Sequence, residues 1–114
     1  MALRDLQEIH RFLTAELVPH EEAEERALYP VVASLIGGDD PTGAMVRAHV
    51  EILHLTRLLG RLIEDLPAEG PAGDDLPELR RLLYGLHAVL RLHTAQEDEA
   101  YLSLVEAPPD AAAV

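Results

Sequence analysis

The chain contains no cysteine, no lysine and no tryptophan. The absence of cysteine excludes disulfides, thiolate metal sites and thiol catalysis. No apolar run approaches the roughly 20 residues that a membrane-spanning helix needs, and the first residues lack the pattern of a signal peptide. These absences predict a cytoplasmic protein that has no membrane partner.

Basic residues are also scarce. Nine arginines face 21 acidic residues, and the formal net charge is −12 at pH 7. Such a charge repels both the phosphates of nucleic acid and anionic lipid, so neither is an expected partner. An acidic balance suits a soluble protein and a cation-binding protein equally well. Apolar residues are plentiful instead, at 48% of 114 residues, which is enough for the core of one domain.

Turn signals occur in two places, GGDDPTG from Gly37 and PAEGPAGDDLP from Pro67. They divide the chain into three helical segments, at about 3–36, 42–66 and 75–106. We therefore expect an all-α, up-down helical bundle, with one domain over residues 1–106 and a disordered tail over 107–114. Pro19 cannot donate a backbone hydrogen bond, so a bend is expected within the first helix.

Each segment shows steps of three or four residues, which are typical of one face of a helix. The predicted inner line of the first segment comprises Leu6, Ile9, Leu13, Leu17, His20, Glu24, Leu28, Val31 and Leu35. The predicted inner line of the third segment repeats these steps with Leu79, Leu82, Leu86, Leu90, His93, Glu97, Tyr101 and Leu104. The predicted inner line of the middle segment comprises Met45, His49, Ile52, Thr56, Leu59, Ile63 and Leu66.

Two carboxylates and three histidines fall on these apolar lines. Burying an ionised carboxylate costs several kcal/mol unless another group compensates its charge, and none of the nine arginines lies on the three lines. A metal cation can compensate, and nitrogen and oxygen ligands without sulfur suit iron, manganese or zinc. In an up-down-up bundle, the three segments bring these side chains to one height. The predicted metal ligands are His20, Glu24, His49, His93 and Glu97.

Two motifs of the form H-x-x-x-E, HEEAEERALYP and HTAQEDEAYL, flank the stretch AHVEI. Over about Leu3 to Glu106 this pattern resembles the hemerythrin-like (His-His-Glu cation-binding) family. The resemblance implies a four-helix bundle with a non-haem di-iron site that binds or senses iron, dioxygen or nitric oxide. It also implies terminal ligation by the three histidines and bridging by the two glutamates: His20, His49, His93, Glu24 and Glu97.

Three features depart from the family pattern. Family members usually place a further helix, with a further histidine, before the first H-x-x-x-E motif. Leu53 stands where oxygen-carrying members tend to have a second histidine in the middle helix, and Asp98 is an alternative to Glu97 as the last carboxylate. These departures imply an open, asymmetric site in which one ion is an alternative to two. The missing helix predicts a homodimer, or a covering segment from a longer protein or a partner.

The remaining polar groups have simpler interpretations. We expect the other histidines to lie at the boundary or surface, with His54 and His87 close enough in height for an accessory site; these are His10, His54 and His87. We expect the neighbouring acidic residues to form a solvated face: Glu21, Glu22 and Glu25. No chemistry is assigned to Tyr29, Tyr84 or Tyr101.

Other functions are compatible with the same residues. The His–Glu pairs also fit solvent-facing helical pairs or a buried polar layer that fixes helix register. The chain then fits a metal-free helical interaction domain. With a metal, it also fits a regulatory domain of a larger protein such as a cation transporter, or a small peroxidase or oxidase. No residue pattern marks a substrate pocket or a general acid, so an enzyme is the less favoured interpretation.

Overall fold

The computed structural model describes residues 2–105, which form three long helices. They are α1 (residues 3–36), α2 (Gly43–Glu64) and α3 (Leu76–Val105), and a short 3₁₀ turn, Gly73–Asp75, precedes α3. The bundle measures 64 × 22 × 21 Å.

The predicted all-α fold with three helical segments is confirmed. The predicted tail lies outside the described residues. Among the described residues, no helix combines the length and apolar character that a bilayer span requires.

Seven buried leucines form a cluster in one half of the bundle, called here the leucine cluster: Leu6, Leu13, Leu55, Leu59, Leu79, Leu82 and Leu86. They come from the first half of α1, the second half of α2 and the first half of α3. Because the beginnings of α1 and α3 meet the end of α2, α1 and α3 run parallel and α2 runs antiparallel. The opposite half of the bundle therefore brings together the middle and end of α1, the start of α2 and the end of α3.

The predicted inner lines of α2 and α3 are largely buried. In α2 the buried members are Met45, His49, Ile52, Thr56 and Leu59. In α3 they are Leu79, Leu82, Leu86 and His93. Both helices follow an unbroken α-helical path, so steps of three and four residues keep their side chains on one face.

The inner line of α1 differs from the prediction. Leu6 and Leu13 are buried as expected, but four other apolar members of the predicted line are exposed: Ile9, Leu28, Val31 and Leu35. The side chains buried in the second half of α1 are instead Glu21, Tyr29 and Val32. The predicted line is therefore wrong for the second half of α1, which turns a neighbouring line of residues toward α2 and α3.

Two π-helical turns cause this difference. They span Leu13–Leu17 and Glu24–Leu28, and each ends two residues before a proline, Pro19 or Pro30. Proline lacks a backbone donor and its ring crowds the preceding turn, and a wider turn accommodates both effects. A π turn holds an additional residue, so it rotates the side chains that follow it. The structure shows a π-helical turn just before Pro19, while the expected bend stays a prediction.

The loop between α1 and α2 depends on residues with positive φ. Gly37 ends α1 with φ of 74°, and its N–H donates to the carbonyl oxygen of Ala33 at 2.9 Å. Gly38 has φ of 86°, and both values lie in the region that favours glycine. This tight reversal leaves only six residues, 37–42, between α1 and α2, which places His49 beside the second half of α1.

Candidate metal centre

Three ligand atoms from three helices converge in the interior. Glu21 Oε2 lies 2.5 Å from His49 Nε2 and 2.8 Å from His93 Nε2, and the two histidine nitrogens are 2.9 Å apart. All three side chains are buried. We call Glu21, His49 and His93 the buried triad. Glu24 completes a group of four residues whose ligand atoms all lie within 4.8 Å of one another.

His49 is held on several sides. Its Nδ1 lies 2.6 Å from Glu25 Oε1, and in the tautomer that carries the proton on Nδ1 this N–H donates to the carboxylate. The Tyr29 ring stacks on the imidazole with centroids 5.3 Å apart, and the His93 ring meets it edge-on at 4.4 Å. These contacts direct Nε2 of His49 toward the centre of the buried triad.

A pair of carboxyl groups, Glu24 and Glu97, adjoins the triad; we call them the outer pair. Tyr101 Oη lies 3.3 Å from Glu24 Oε2 and 3.0 Å from Glu97 Oε2. Glu97 also contacts the triad, since its Oε1 is 3.2 Å from His93 Nε2. Tyr29 Oη links the two groups, because it lies 3.2 Å from Glu97 Oε2 and 3.1 Å from His49 Nε2.

The outer pair shares a proton at neutral pH. Burial, reinforced by hydrogen bonds to Glu97 and Glu21, raises the pKa of Glu24 from 4.5 to about 8. Burial also acts to raise the pKa of Glu97, but hydrogen bonds from Glu24 and Tyr101 outweigh it and hold that pKa below its usual value. Glu24 is therefore the protonated member. Burial and the nearby Glu97 raise the pKa of both Tyr29 and Tyr101, so both remain neutral donors.

The ligand atoms of this group suit a metal ion better than they suit one another as hydrogen-bond partners. His49 Nε2 and Glu21 Oε2 are both acceptors when His49 carries its proton on Nδ1, yet they lie 2.5 Å apart. Two buried atoms, Glu24 Oε1 and His93 Nδ1, have no hydrogen-bond partner among the described residues. The arginine ion pairs of residues 2–105 involve only Glu8, Asp40 and Glu78, all outside this group. A bound cation would turn these close contacts between acceptors into favourable ones.

The structure brings most of the predicted ligands together. Glu24, His49 and His93 belong to the group of four, and Glu97 contacts both Glu24 and His93. His20 lies outside that group, with 67% of its side chain exposed and its Nε2 3.4 Å from Glu24 Oε1. The role of each of these five residues as a metal ligand stays a prediction.

Two glutamates of the supposed solvated face are part of the site. Glu21 is buried at the centre and Glu25 is half-buried against His49, so the prediction of a solvated face is wrong for both, whereas Glu22 is exposed as expected. The cause is the shifted inner face of α1. The signal in the sequence was the pair of prolines, since each makes a regular α-helical period unreliable.

The other candidate ligands are exposed and outside the group of four: His54, His87 and Asp98.

The fold and the site together define an all-α bundle with a candidate cation centre between its helices. A family model described as the hemerythrin HHE cation-binding domain matches residues 1–105. The match covers nearly the whole chain, and the chain belongs to this family. No curated protein and no solved structure matches the chain.

Proposed function

We propose that this chain is an iron-binding domain whose buried triad holds one metal ion. The observation that carries this proposal is the convergence of Glu21 Oε2, His49 Nε2 and His93 Nε2 within 2.5 to 2.9 Å of one another. Two imidazoles and one carboxylate on one side of an ion leave other coordination positions open, an arrangement typical of non-haem iron. Manganese and zinc are alternative occupants that metal analysis distinguishes.

A second ion is proposed at the outer pair, which would make the centre di-iron. Glu24 belongs to the group within 4.8 Å, and Tyr101 Oη contacts both Glu24 Oε2 and Glu97 Oε2, so the outer pair adjoins the triad directly. His20 lies on the solvent side of Glu24, with its Nε2 3.4 Å from Glu24 Oε1. This position supports His20 as the terminal nitrogen ligand of the second ion.

The centre is proposed to respond to iron, or to small molecules such as dioxygen and nitric oxide. When bound, iron would supply the open coordination positions that such molecules need. A cavity of about 190 Å³ between α1 and α2 reaches Glu21 and His49, and apolar side chains including Val18, Val50 and Leu53 line it. The apolar part of this lining suits small neutral molecules, and the Tyr29 ring stacks on His49.

The proposal is tested by loading the protein with ferrous iron under nitrogen, removing unbound metal, and measuring bound iron per chain. We expect two ions in the wild-type protein and one in His20→Ala, because only the outer ion depends on the exposed histidine. Exposure to air should then produce near-ultraviolet charge-transfer bands in the wild-type protein. A wild-type protein that retains no iron, manganese or zinc would refute the metal centre, and equal loading of one ion in both proteins would refute the second site.

Metal binding should release protons, and the number released should fall as the pH rises. The pKa of Glu24 is about 8 in the metal-free fold, so near pH 7 the ion must displace its proton, about one per outer ion. Because the pKa of Glu24 is about 8 in the fold and 4.5 as the ordinary value, protonated Glu24 stabilises the metal-free fold. This contribution to the free energy of unfolding is fully present below about pH 4.5 and is lost as the pH rises through 8.

Calorimetry of metal binding in buffers of different ionisation enthalpy measures this release. Glu24→Gln is the informative comparison, because its amide cannot lose a proton. Release of the same number of protons at pH 6.5 and pH 9 in the wild-type protein would contradict the assignment.

A further inference from the structure

We infer that Glu25 is a positioning residue, which fixes the tautomer of His49 so that the Nε2 lone pair faces the buried triad. The inference deepens the proposed metal binding and rests on it. Glu25 is not itself among the four clustered ligand residues. Its effect on an ion would pass through the imidazole that it contacts.

The contact between the two residues is short and directional. His49 Nδ1 lies 2.6 Å from Glu25 Oε1, and 6% of the His49 side chain is exposed against 36% for Glu25. A neutral imidazole carries one N–H, on either Nδ1 or Nε2, and its partners decide which. With the proton on Nδ1 and donated to Glu25, Nε2 keeps a lone pair that can bind a cation.

Glu25 has a direct competitor for that proton. Glu21 Oε2 lies 2.5 Å from His49 Nε2, so on its own it would favour the opposite tautomer, with Nε2–H donated to Glu21. In that tautomer neither His49 Nε2 nor Glu21 Oε2 is free to bind a cation. The shared proton is bonded to Nε2, and the lone pair of Oε2 accepts it. Tyr29 also favours that opposite tautomer, because its one O–H is donated to Glu97 and its oxygen, 3.1 Å from His49 Nε2, can only accept there. Glu25 therefore determines whether the triad is open to a cation.

Glu25 lies in the second π-helical turn of α1, Glu24–Leu28. Glu21 and Glu25 are four residues apart, and both reach the same imidazole from opposite edges. The negative charge of Glu25 also makes His49 a stronger donor to a cation. Carboxylate partners of metal-bound histidines typically change metal affinity by about 10–100-fold when they are removed.

The tautomer can be measured in the metal-free protein. Long-range ¹H–¹⁵N NMR correlations of the His49 ring should show Nδ1–H in the wild-type protein and a shift toward Nε2–H in Glu25→Ala. Glu25→Gln should keep Nδ1–H, because the amide oxygen can still accept from it. The matched control is Glu22→Ala, an exposed glutamate in the same stretch of α1, which should leave the His49 spectrum unchanged.

Metal affinity, measured by competition with a chelator, tests the consequence. Glu25→Ala should bind ferrous ion about 10–100-fold more weakly than the wild-type protein, Glu25→Gln should fall between them, and Glu22→Ala should match the wild-type protein. The inference is overturned by Nε2–H in the wild-type protein, by a tautomer that Glu25→Ala leaves unchanged, or by equal affinity of Glu25→Ala and Glu22→Ala. Failure of the wild-type protein to bind metal would instead refute the proposed function, while the tautomer of the metal-free protein would still report on Glu25.

Discussion

Replacing His93 with alanine is expected to remove nearly all bound metal from the chain. His93 Nε2 lies 2.8 Å from Glu21, 2.9 Å from His49 and 3.2 Å from Glu97, so it adjoins both the buried triad and the outer pair. Its loss should weaken binding by more than about 100-fold, beyond the effect typical of losing only a partner of a ligand. Metal content after desalting, measured by elemental analysis, gives the result directly.

The matched control for this variant is His87→Ala, which removes an exposed histidine from the same helix. This protein should retain the wild-type metal content. Far-ultraviolet circular dichroism should show the same helicity in both variants, since neither change touches the leucine cluster. Retention of wild-type metal content by His93→Ala would exclude His93 as a ligand.

Replacing Leu59 with alanine is expected to lower the free energy of unfolding by about 2–5 kcal/mol, because the change leaves a cavity in close-packed surroundings. Leu59 is fully buried at 0% exposure, among leucines from all three helices. For a domain of this size, each kcal/mol corresponds to about 4 °C, so the melting temperature should fall by about 8–20 °C. Urea denaturation of the metal-free protein measures the free energy without a contribution from a bound ion.

Leu92→Ala is the control for this change, because 57% of the Leu92 side chain is exposed in the wild-type protein. We expect an effect within about 0.5 kcal/mol. Below its melting temperature, Leu59→Ala should still bind the wild-type amount of metal, because the leucine cluster and the buried triad occupy different halves of the bundle. An unfolding free energy equal to that of Leu92→Ala would show that Leu59 does not hold the three helices together.

The sequence predicted α2 and α3 well because both helices keep a regular period. Every step from Met45 to Leu59 and from Leu79 to His93 follows the α-helical repeat, and all of these positions are buried except Leu90, which is half-buried. The histidines His49 and His93 were therefore predicted on the correct faces. Apolar periodicity is a strong signal where no proline interrupts the backbone hydrogen bonds.

The second half of α1 could not be predicted in the same way. Its sequence offers two apolar lines offset by one residue, with Leu28 and Val31 on one and Tyr29 and Val32 on the other. A regular α-helical repeat favours the first line, while the π-helical turns select the second. Hydrophobicity does not distinguish the lines, so the choice depends on backbone geometry near the prolines. For this reason Glu21 was predicted to face solvent although it lies at the centre of the site.

The separation of the leucine cluster from the triad has a consequence for the way the chain could exchange an ion. Proteins unfold locally in cooperative segments, and the free energy of opening differs from one segment to another. The half of the bundle around Glu21 buries the polar side chains of Glu21, His49 and His93 beside its apolar ones, whereas the other half contains the leucine cluster. If the half around the triad has the lower opening free energy, a metal ion bound there would exchange by local opening while the leucine cluster stays packed.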